Sequence, residues 1–381
     1  MRRNLPVLAG VLVACVFISV SGGAGATTSP KVTARQVAAG GRFTCTLLSS
    51  RSVECWGYNQ DGELGNGSTK NSSRPQTVAN LQNIVGVSAG WDSACALEAS
   101  ARVYCWGSDS YGQLGNGVLR PRGNPQLVPS LAGVRAVSVG GYFACALLAD
   151  GSVECWGSGA EGQLGIKTTI SSSKPVQVKG LAGVVKISAG FGHTCAIRTD
   201  GALFCWGDDA NGDLGIDSTY VATVPIRVPL SHVEDVAAGG SHTCALIRGG
   251  AVYCWGNNGY GQLGIGSKEH QSSTPVLLRG LPVATALSSG ENQTCALLAQ
   301  HLLRCWGDNL FGQLGNGTTQ STSSPQVVRH LTLVLQVSGG GNHACALVAG
   351  GTVECWGYGH FGQLGDGSLA NSLLPVRVAL R

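Results

Sequence analysis

The chain has 381 residues with 58 glycines, 15 cysteines, 12% charged residues and a formal net charge of +4. Hydrophobic residues make up 43%, which excludes intrinsic disorder, a state that needs few apolar residues and high charge. Arg2 and Arg3 supply two of the charges, and no basic run or stripe of the kind that binds nucleic acid remains.

The chain opens with Arg2 and Arg3, an apolar run from Leu5 to Val20 broken only by Ser19, and the small residues Ala24-Gly25-Ala26. That order reads as an export signal over residues 1–26, cleaved before Thr27, with residues 27–381 as the mature protein. The apolar run is shorter than the about 20 residues a membrane helix needs, so no membrane span is expected. Leu12-Val13-Ala14 before Cys15 also resembles a lipobox, which would leave a lipid anchor. Val16-Phe17-Ile18 continues the apolar run, which favours ordinary cleavage and a secreted or extracytoplasmic product. Fourteen cysteines and a net charge of +2 then remain.

Those cysteines fall in seven pairs, ten positions apart: Cys45 and Cys55, Cys95 and Cys105, Cys145 and Cys155, Cys195 and Cys205, Cys244 and Cys254, Cys295 and Cys305, Cys345 and Cys355. Their first members recur every 49 to 51 residues. Trp-Gly follows each second cysteine, at Trp56, Trp106, Trp156, Trp206, Trp255, Trp306 and Trp356. Each unit continues with G-[QED]-L-G and a proline, and a glycine stands five positions before each first cysteine, from Gly40 to Gly340. The seven units run from about residue 32 to the end, with no second domain.

Within the third unit, Val134 to Val139, Ala144 to Leu148, Ser152 to Trp156 and Pro175 to Val178 read as four short strands separated by glycine-rich turns. A four-stranded repeat of about 50 residues is the spacing of propeller blades. The expected fold is all-β: a seven-bladed propeller of four-stranded blades. Because the first strand, Val32 to Ala39, precedes the first Cys unit and Pro375 to Leu380 ends the chain, the N-terminal strand is expected to join the last blade and close the ring.

The motif G-x-x-H-T-C-A-L…D-G-x-V-x-C-W-G-x-x-x-x-G-Q-L-G resembles the regulator of chromosome condensation repeat. Gly190-Phe191-Gly192-His193-Thr194 and Asp200-Gly201 through Cys205-Trp206-Gly207 carry it well, and the export signal would make this a secreted, bacterial-type member. The resemblance implies a seven-bladed propeller. It says less about activity, since such proteins include a nuclear nucleotide-exchange factor, a plant photoreceptor and a secreted β-lactamase-inhibitory protein. Recognition of proteins on the propeller faces is what they share, so function must be argued from the site.

The cysteine spacing has a geometric meaning. A three-residue hairpin loop at Ala149-Asp150-Gly151, with glycine in the left-handed position, pairs Leu148 with Ser152 and sets Cys145 opposite Cys155. Alternation makes this a non-hydrogen-bonded pair, close enough for a disulfide. Gly201, Gly250 and Gly351 share the turn position, whereas Arg51, Ala101 and His301 replace it. Zinc would need closer ligands or a four-ligand cluster. Seven disulfides are therefore expected, in keeping with export.

No catalytic constellation, cofactor motif or metal site is apparent, and the protein is read as a non-enzyme. Asp209-Ala210-Asn211-Gly212-Asp213 lacks the sixth-position glycine and later glutamate of a calcium loop. His193, His242 and His343 occupy one repeat position on different blades, where the resemblance implies packing. The seven Cys-Trp-Gly tryptophans are expected to pack between blades. Glu54, Glu154 and Glu354 recur inside one strand and read as scaffold. Departures from the repeat are more informative. Between glycine and cysteine the sequence varies freely, giving Arg42, Trp91, Asp92, Tyr142, Phe191 and Glu291 as candidate binding residues, because aromatics and arginine dominate interface hot spots. Trp91 alone matches the tryptophans that the photoreceptor members carry at the interaction face, which argues against a photoreceptor role. The polar loops such as Gly67 to Ser73 are expected on the opposite side.

These readings predict a secreted, monomeric, disulfide-stabilised scaffold that binds a protein or a cell-surface polymer through loops on one face, and not nucleic acid. The alternatives are a propeller glycosidase or lyase, which would need paired carboxylates at the channel mouth, and guanine-nucleotide exchange by family analogy.

Overall fold

Short runs of β-branched and apolar residues between glycine turns fold into 28 strands in residues 32–218, 220–266 and 270–380, the part of the chain that the computed structural model describes. The expected export signal, with Cys15, lies outside the described residues. In the third unit the strands are β9 (Val134–Val139), β10 (Phe143–Leu148), β11 (Val153–Gly157) and β12 (Ser172–Gln177). They form one antiparallel sheet in the order β9-β10-β11-β12, and each of the seven units repeats this arrangement. The protein is an all-β, seven-bladed propeller. The innermost strands line the central channel, and the proline-bearing fourth strands form the outer edge, where a missing N–H costs no ladder bond.

Packing follows the repeat. Every Cys-Trp-Gly tryptophan is fully buried. Each indole Nε1 donates to the carbonyl of the G-[QED]-L-G segment in the preceding blade, as Trp206 does to Gln163 and Trp56 to Gln363, both at 2.9 Å. The glycine ending that segment is required twice over. Gly165 has φ +67°, and a β-carbon there would stand 2.9 Å from the Trp206 ring nitrogen. Along the channel wall, serines on the inner strands accept from the next blade's backbone, as Ser138 Oγ does from Ala189 N at 3.0 Å.

All seven cysteine pairs are bridged as the spacing predicts. Cys45 is joined to Cys55, Cys95 to Cys105, Cys145 to Cys155 and Cys195 to Cys205. In the remaining blades Cys244 is joined to Cys254, Cys295 to Cys305 and Cys345 to Cys355. The bridged Cα atoms lie 4.0 to 4.1 Å apart throughout. Cys145 faces Cys155 in the register set by the Ala149-Asp150-Gly151 loop, where Gly151 has φ +80°. Arg51, Ala101 and His301 keep the same left-handed turn at φ 64°, 65° and 59°. The hairpin register and the disulfide therefore hold a conformation that an L-residue side chain disfavours.

Ring closure differs from the sequence expectation. Strand β1 (Ala34–Ala39) does not join the last blade; it pairs with β2 (Phe43–Leu48) in the first, and the last blade is the continuous run β25 (Val334–Gly339) to β28 (Ser372–Arg377). The three-residue turn at Gly40-Gly41-Arg42 makes the local hairpin the nearest partner for β1. Closure is instead made by the same contacts that join every other pair of blades. Trp56 packs in a cluster with Ala34, Val37, Leu347, Val353 and Leu364. Gln336 accepts from and donates to the backbone of Val37, at 3.0 and 3.1 Å.

A belt of backbone hydrogen bonds circles the channel mouth through the turns between first and second strands. The donors and acceptors run Gly41 to Gly90, Trp91 to Gly140, Gly141 to Gly190, Phe191 to Gly239, Gly240 to Gly290, Glu291 to Gly340 and Gly341 to Gly40, all at 3.0 to 3.2 Å. A β-carbon at any of the seven acceptor glycines would come within 2.8 Å of the next blade's carbonyl oxygen. Gly140→Ala should therefore cost about 1–3 kcal/mol, as overpacking does, and lower the thermal midpoint. Gly86→Ala, where the nearest atom would be 3.7 Å away, should not. Equal midpoints for the two variants in a calorimetric scan would contradict this account of the belt.

Candidate functional site

Two sets of loops meet at one end of the propeller. In every blade the loop after the Trp-Gly strand is tied to the first turn by a backbone bond, such as Tyr58 N to Arg42 O at 3.0 Å or Ser108 N to Asp92 O at 2.9 Å. The Gly67 to Ser73 loop continues from this same end, and Gly67 N bonds Gly123 O of the next blade. Its expected position on the opposite side is thus corrected: a single strand leads from the hairpin to the loop, so both loop sets share an end.

All six candidate residues lie around this mouth. Trp91 is half-buried and leans inward: added β-carbons would stand 2.9 Å from its ring at Gly41 and 3.2 Å at Gly341. Its edge meets Phe191 at 5.5 Å between ring centroids, and Phe191 meets Tyr142 at 5.4 Å. Trp91 and Tyr142 are therefore joined through Phe191. At this mouth the channel holds a cavity of about 90 Å³ lined by the turn glycines with Trp91, Phe191 and Glu291. Arg42, which is exposed, takes a different position: its guanidinium carbon lies 5.8 Å over Tyr58 and 5.6 Å over Phe361.

Burial drives the electrostatics of the mouth. Desolvation pushes Asp92 up to about 6 against the pull of Arg42, with Asp61 adding to the rise. It also raises Glu291, with Asp308 adding and Arg42 opposing. Tyr142 is raised by burial and then by Asp92, so its phenol stays protonated. Glu63, in place of the usual glutamine of G-[QED]-L-G, is pushed by burial up to about 7. Asp213, at the same repeat position, reaches about 8 through burial and then its neighbours Asp208 and Asp209. Near neutral pH Asp213 is mostly protonated and Glu63 about half so, at the position where the other blades carry an amide.

Sequence reasoning missed half of the aromatic surface. Tyr111 meets Tyr142 at 5.2 Å, and Phe311, Tyr358, Phe361 and Tyr58 form a chain of ring contacts at 4.8 to 5.9 Å. These residues occupy the four variable positions between Trp-Gly and G-[QED]-L-G, where the repeat-breaking signal is as plain as in the first turn.

The remaining sequence candidates are structural. Asp209 Oδ1 accepts from Leu214 N at 2.9 Å, the same cap that Asn59 supplies to Leu64. Glu54, Glu154 and Glu354 sit on third strands, away from the mouth. Fully buried His193, His242 and His343 each share a 2.8 Å hydrogen bond with a threonine of the next blade: Thr243, Thr294 and Thr44. Burial depresses them to about 4, 3 and 3.

The profile described as the RCC1-like domain matches residues 120–381, and RCC1-repeat profiles match 53–97 and 84–113. The chain belongs to the RCC1-like propeller family. Among solved structures it is similar to Prp20p of Saccharomyces cerevisiae, at TM-score 0.78 and 21% identity over 89% of this chain and 86% of that one; that structure is described with its binding to Gsp1p and histones. Human WBSCR16 gives 0.78 and 22% over 86% and 94%. The ectodomain of the Physcomitrella patens receptor kinase CR4 gives 0.56 and 22% over 86% and 74%. At these identities the likeness is one of fold. No curated protein matches the chain.

The histidine assignment predicts a pH signature. An unfolded histidine titrates near about 6.5, whereas folded His343 stays neutral to about 3. Below about 6.5 the unfolded chain binds the extra proton, so this residue's linkage destabilises the fold as pH falls, by about 1.4 kcal/mol per unit. His343→Gln, which borrows the residue found at Gln293, should be less stable than the parent at pH 7.5. The gap should narrow, or reverse, by pH 4.5 in paired denaturant titrations. A gap that does not change with pH would contradict a neutral buried His343.

Proposed function

We propose that this protein is an extracytoplasmic, non-enzymatic scaffold that binds a partner protein through the loop face around the channel mouth, with Arg42, Trp91, Asp92, Tyr142, Phe191 and Glu291 at its centre. Tyr58, Tyr111 and Phe361 extend the surface. The observation that carries this reading is the contrast within one turn. The belt glycines repeat in all seven blades while the residues projecting from the same turns differ in each. Binding residues on loops held by a rigid frame are a common solution. Aromatic rings and arginine are the side chains most enriched in hot spots.

Seven disulfides fit an oxidising compartment, and we read residues 1–26 as the export signal that delivers the chain there. Exchange on an intracellular GTPase would place the partner on the other side of the membrane. A glycosidase would need two cooperating carboxylates. Asp92 and Glu291 are not coupled to each other, although Asp61 adds to the rise of Asp92 and Asp308 to that of Glu291, so a glycan-hydrolysis panel is the check on that second reading.

Truncating a central interface tryptophan commonly costs about 2 kcal/mol or more, roughly thirty-fold in affinity. Trp91→Ala should impose such a loss on a partner captured from the producing cell's surface proteins, with a small fall in thermal midpoint. Trp156→Ala should do the reverse, losing about 3–5 kcal/mol of stability. Unchanged partner affinity in folded Trp91→Ala, measured by surface plasmon resonance, would overturn the assignment of this face.

A further inference from the structure

The inner part of the loop face, around the channel mouth, is sorted by charge as well as by shape, while the outer loops of the same end carry Lys70, Arg120 and Lys167 against Asp217 and Asp366. The seven first turns (40–42, 90–92, 140–142, 190–192, 239–241, 290–292 and 340–342) and the seven adjoining loop segments (58–65, 108–115, 158–165, 208–215, 257–264, 308–315 and 358–365) contain ten Asp and Glu. They contain one Arg, Arg42, and no Lys. Glu63, Asp109, Asp209, Asp213 and Asp308 are buried, and Asp61, Asp92, Glu161, Asp208 and Glu291 are half-buried or exposed. The opposite end reverses the sign. Its hairpin loops and blade-to-blade connections hold Arg51, Arg102, Lys179, Arg248, Arg279 and Arg329 against Asp150 and Asp200, with Arg102 and Arg248 paired to Glu98 and Glu234 of the adjoining strands. A chain of modest net charge has placed nearly half of its 21 acidic residues around one mouth, where Asp213 and part of Glu63 are neutralised by protons near neutral pH and the others supply the field.

The aromatic rings on this face fall into two groups, and they differ in one respect. Tyr58 and Phe361 carry a guanidinium, that of Arg42. Trp91, Phe191, Tyr142 and Tyr111 make a second contiguous set, and among the described residues no cation stands over any of them. Asp92 lies beside this second group, close enough to raise Tyr142. Ring faces attract cations, tryptophan most strongly and guanidinium most often. A planar guanidinium can stack on a ring while its N–H fork engages a carboxylate, which an ammonium does less well.

We infer that the mouth binds an arginine-bearing cationic segment of the partner protein, one guanidinium lying against Trp91, Phe191 and Tyr142 and pairing with Asp92, with Glu291 contributing to the attracting field. This rests on the binding reading above and names the chemistry of the partner. It reproduces, on the unoccupied rings, the arrangement that Arg42 already makes with Tyr58 and Phe361.

The direct test uses the oxidised mature protein and a labelled nine-residue peptide of alternating arginine and glycine. Its controls are the lysine and glutamate counterparts, with affinity read by fluorescence anisotropy at 50 and 300 mM salt. The arginine peptide should bind most tightly, the lysine peptide several-fold more weakly, and the glutamate peptide not at all, with affinity falling at higher salt. Asp92→Asn with Glu291→Gln should weaken the arginine peptide at least ten-fold, Trp91→Ala comparably, and Arg42→Glu should strengthen it. Asp150→Asn with Asp200→Asn, at the other end, should have no effect.

No arginine-peptide binding at 50 mM salt, or binding indifferent to the Asp92 and Glu291 changes, would overturn the inference. A captured partner lost by Trp91→Ala but retained by the Asp92/Glu291 variant would leave the face assignment standing and sink the cationic one. Retention in both would sink both.

Discussion

The belt of seven turn-to-turn hydrogen bonds is the constraint from which the rest of the propeller follows. Each first turn sits close enough to its neighbour for a backbone N–H to reach a carbonyl at 3.0 to 3.2 Å, and that approach leaves no room for a β-carbon. Once the turns are so spaced, the second strands lie face to face between blades. Each Cys-Trp-Gly indole then reaches the preceding blade's G-[QED]-L-G carbonyl. Closure needs no exchanged strand, because the junction between the last and first blades is made of the same parts as the other six.

A frame held in this way separates two kinds of residue in one short segment. Backbone and glycine carry the ring, and side chains at the intervening positions project over the mouth. Disulfides across each second and third strand stiffen the blade within which those turns begin, in keeping with an oxidising setting. The position two before the first cysteine shows the same logic below the surface. Where His193, His242 or His343 stands, the following blade offers a threonine. Where Phe43 stands, the following blade offers Ala94; the matching is not uniform, since Phe143 is followed by Thr194, whose hydroxyl donates instead to Gln163 O at 3.2 Å.

Much of this is legible in the sequence, and the reasons are local. Cys145 faces Cys155 because a three-residue loop fixes hairpin register, so the count of residues alone locates the bridge. The same count places Cys55, Cys105, Cys205, Cys254, Cys305 and Cys355 opposite their partners. The blade boundaries follow from glycine and proline placed at the same points in every unit. What the sequence leaves open depends on contacts between units. The partner of β1 differs from expectation because a repeat array does not reveal where its blades are cut. The Gly67 to Ser73 loop lies at the other end from the one expected because the direction of the third strand decides its side. Of the proposed binding surface, the first-turn residues stand out by their departure from the repeat. Tyr58, Tyr111 and Phe361 are missed by that criterion alone, although the four variable positions after Trp-Gly carry the same signal. The meeting of Trp91 with Phe191, two blades away, can come only from the closed ring.

The central claim, that one continuous belt of turns closes the propeller and presents the proposed binding residues, can be tested most directly by native-state amide hydrogen exchange. The amides of Gly41, Trp91, Gly141, Phe191, Gly240, Glu291 and Gly341 should be protected together, with opening free energies close to that of global unfolding. Gly341, which makes the closing bond to Gly40, should be as slow as the other six. Fast, independent exchange at Gly341, with the other six remaining protected, would show the ring to be open at that junction and would contradict the account.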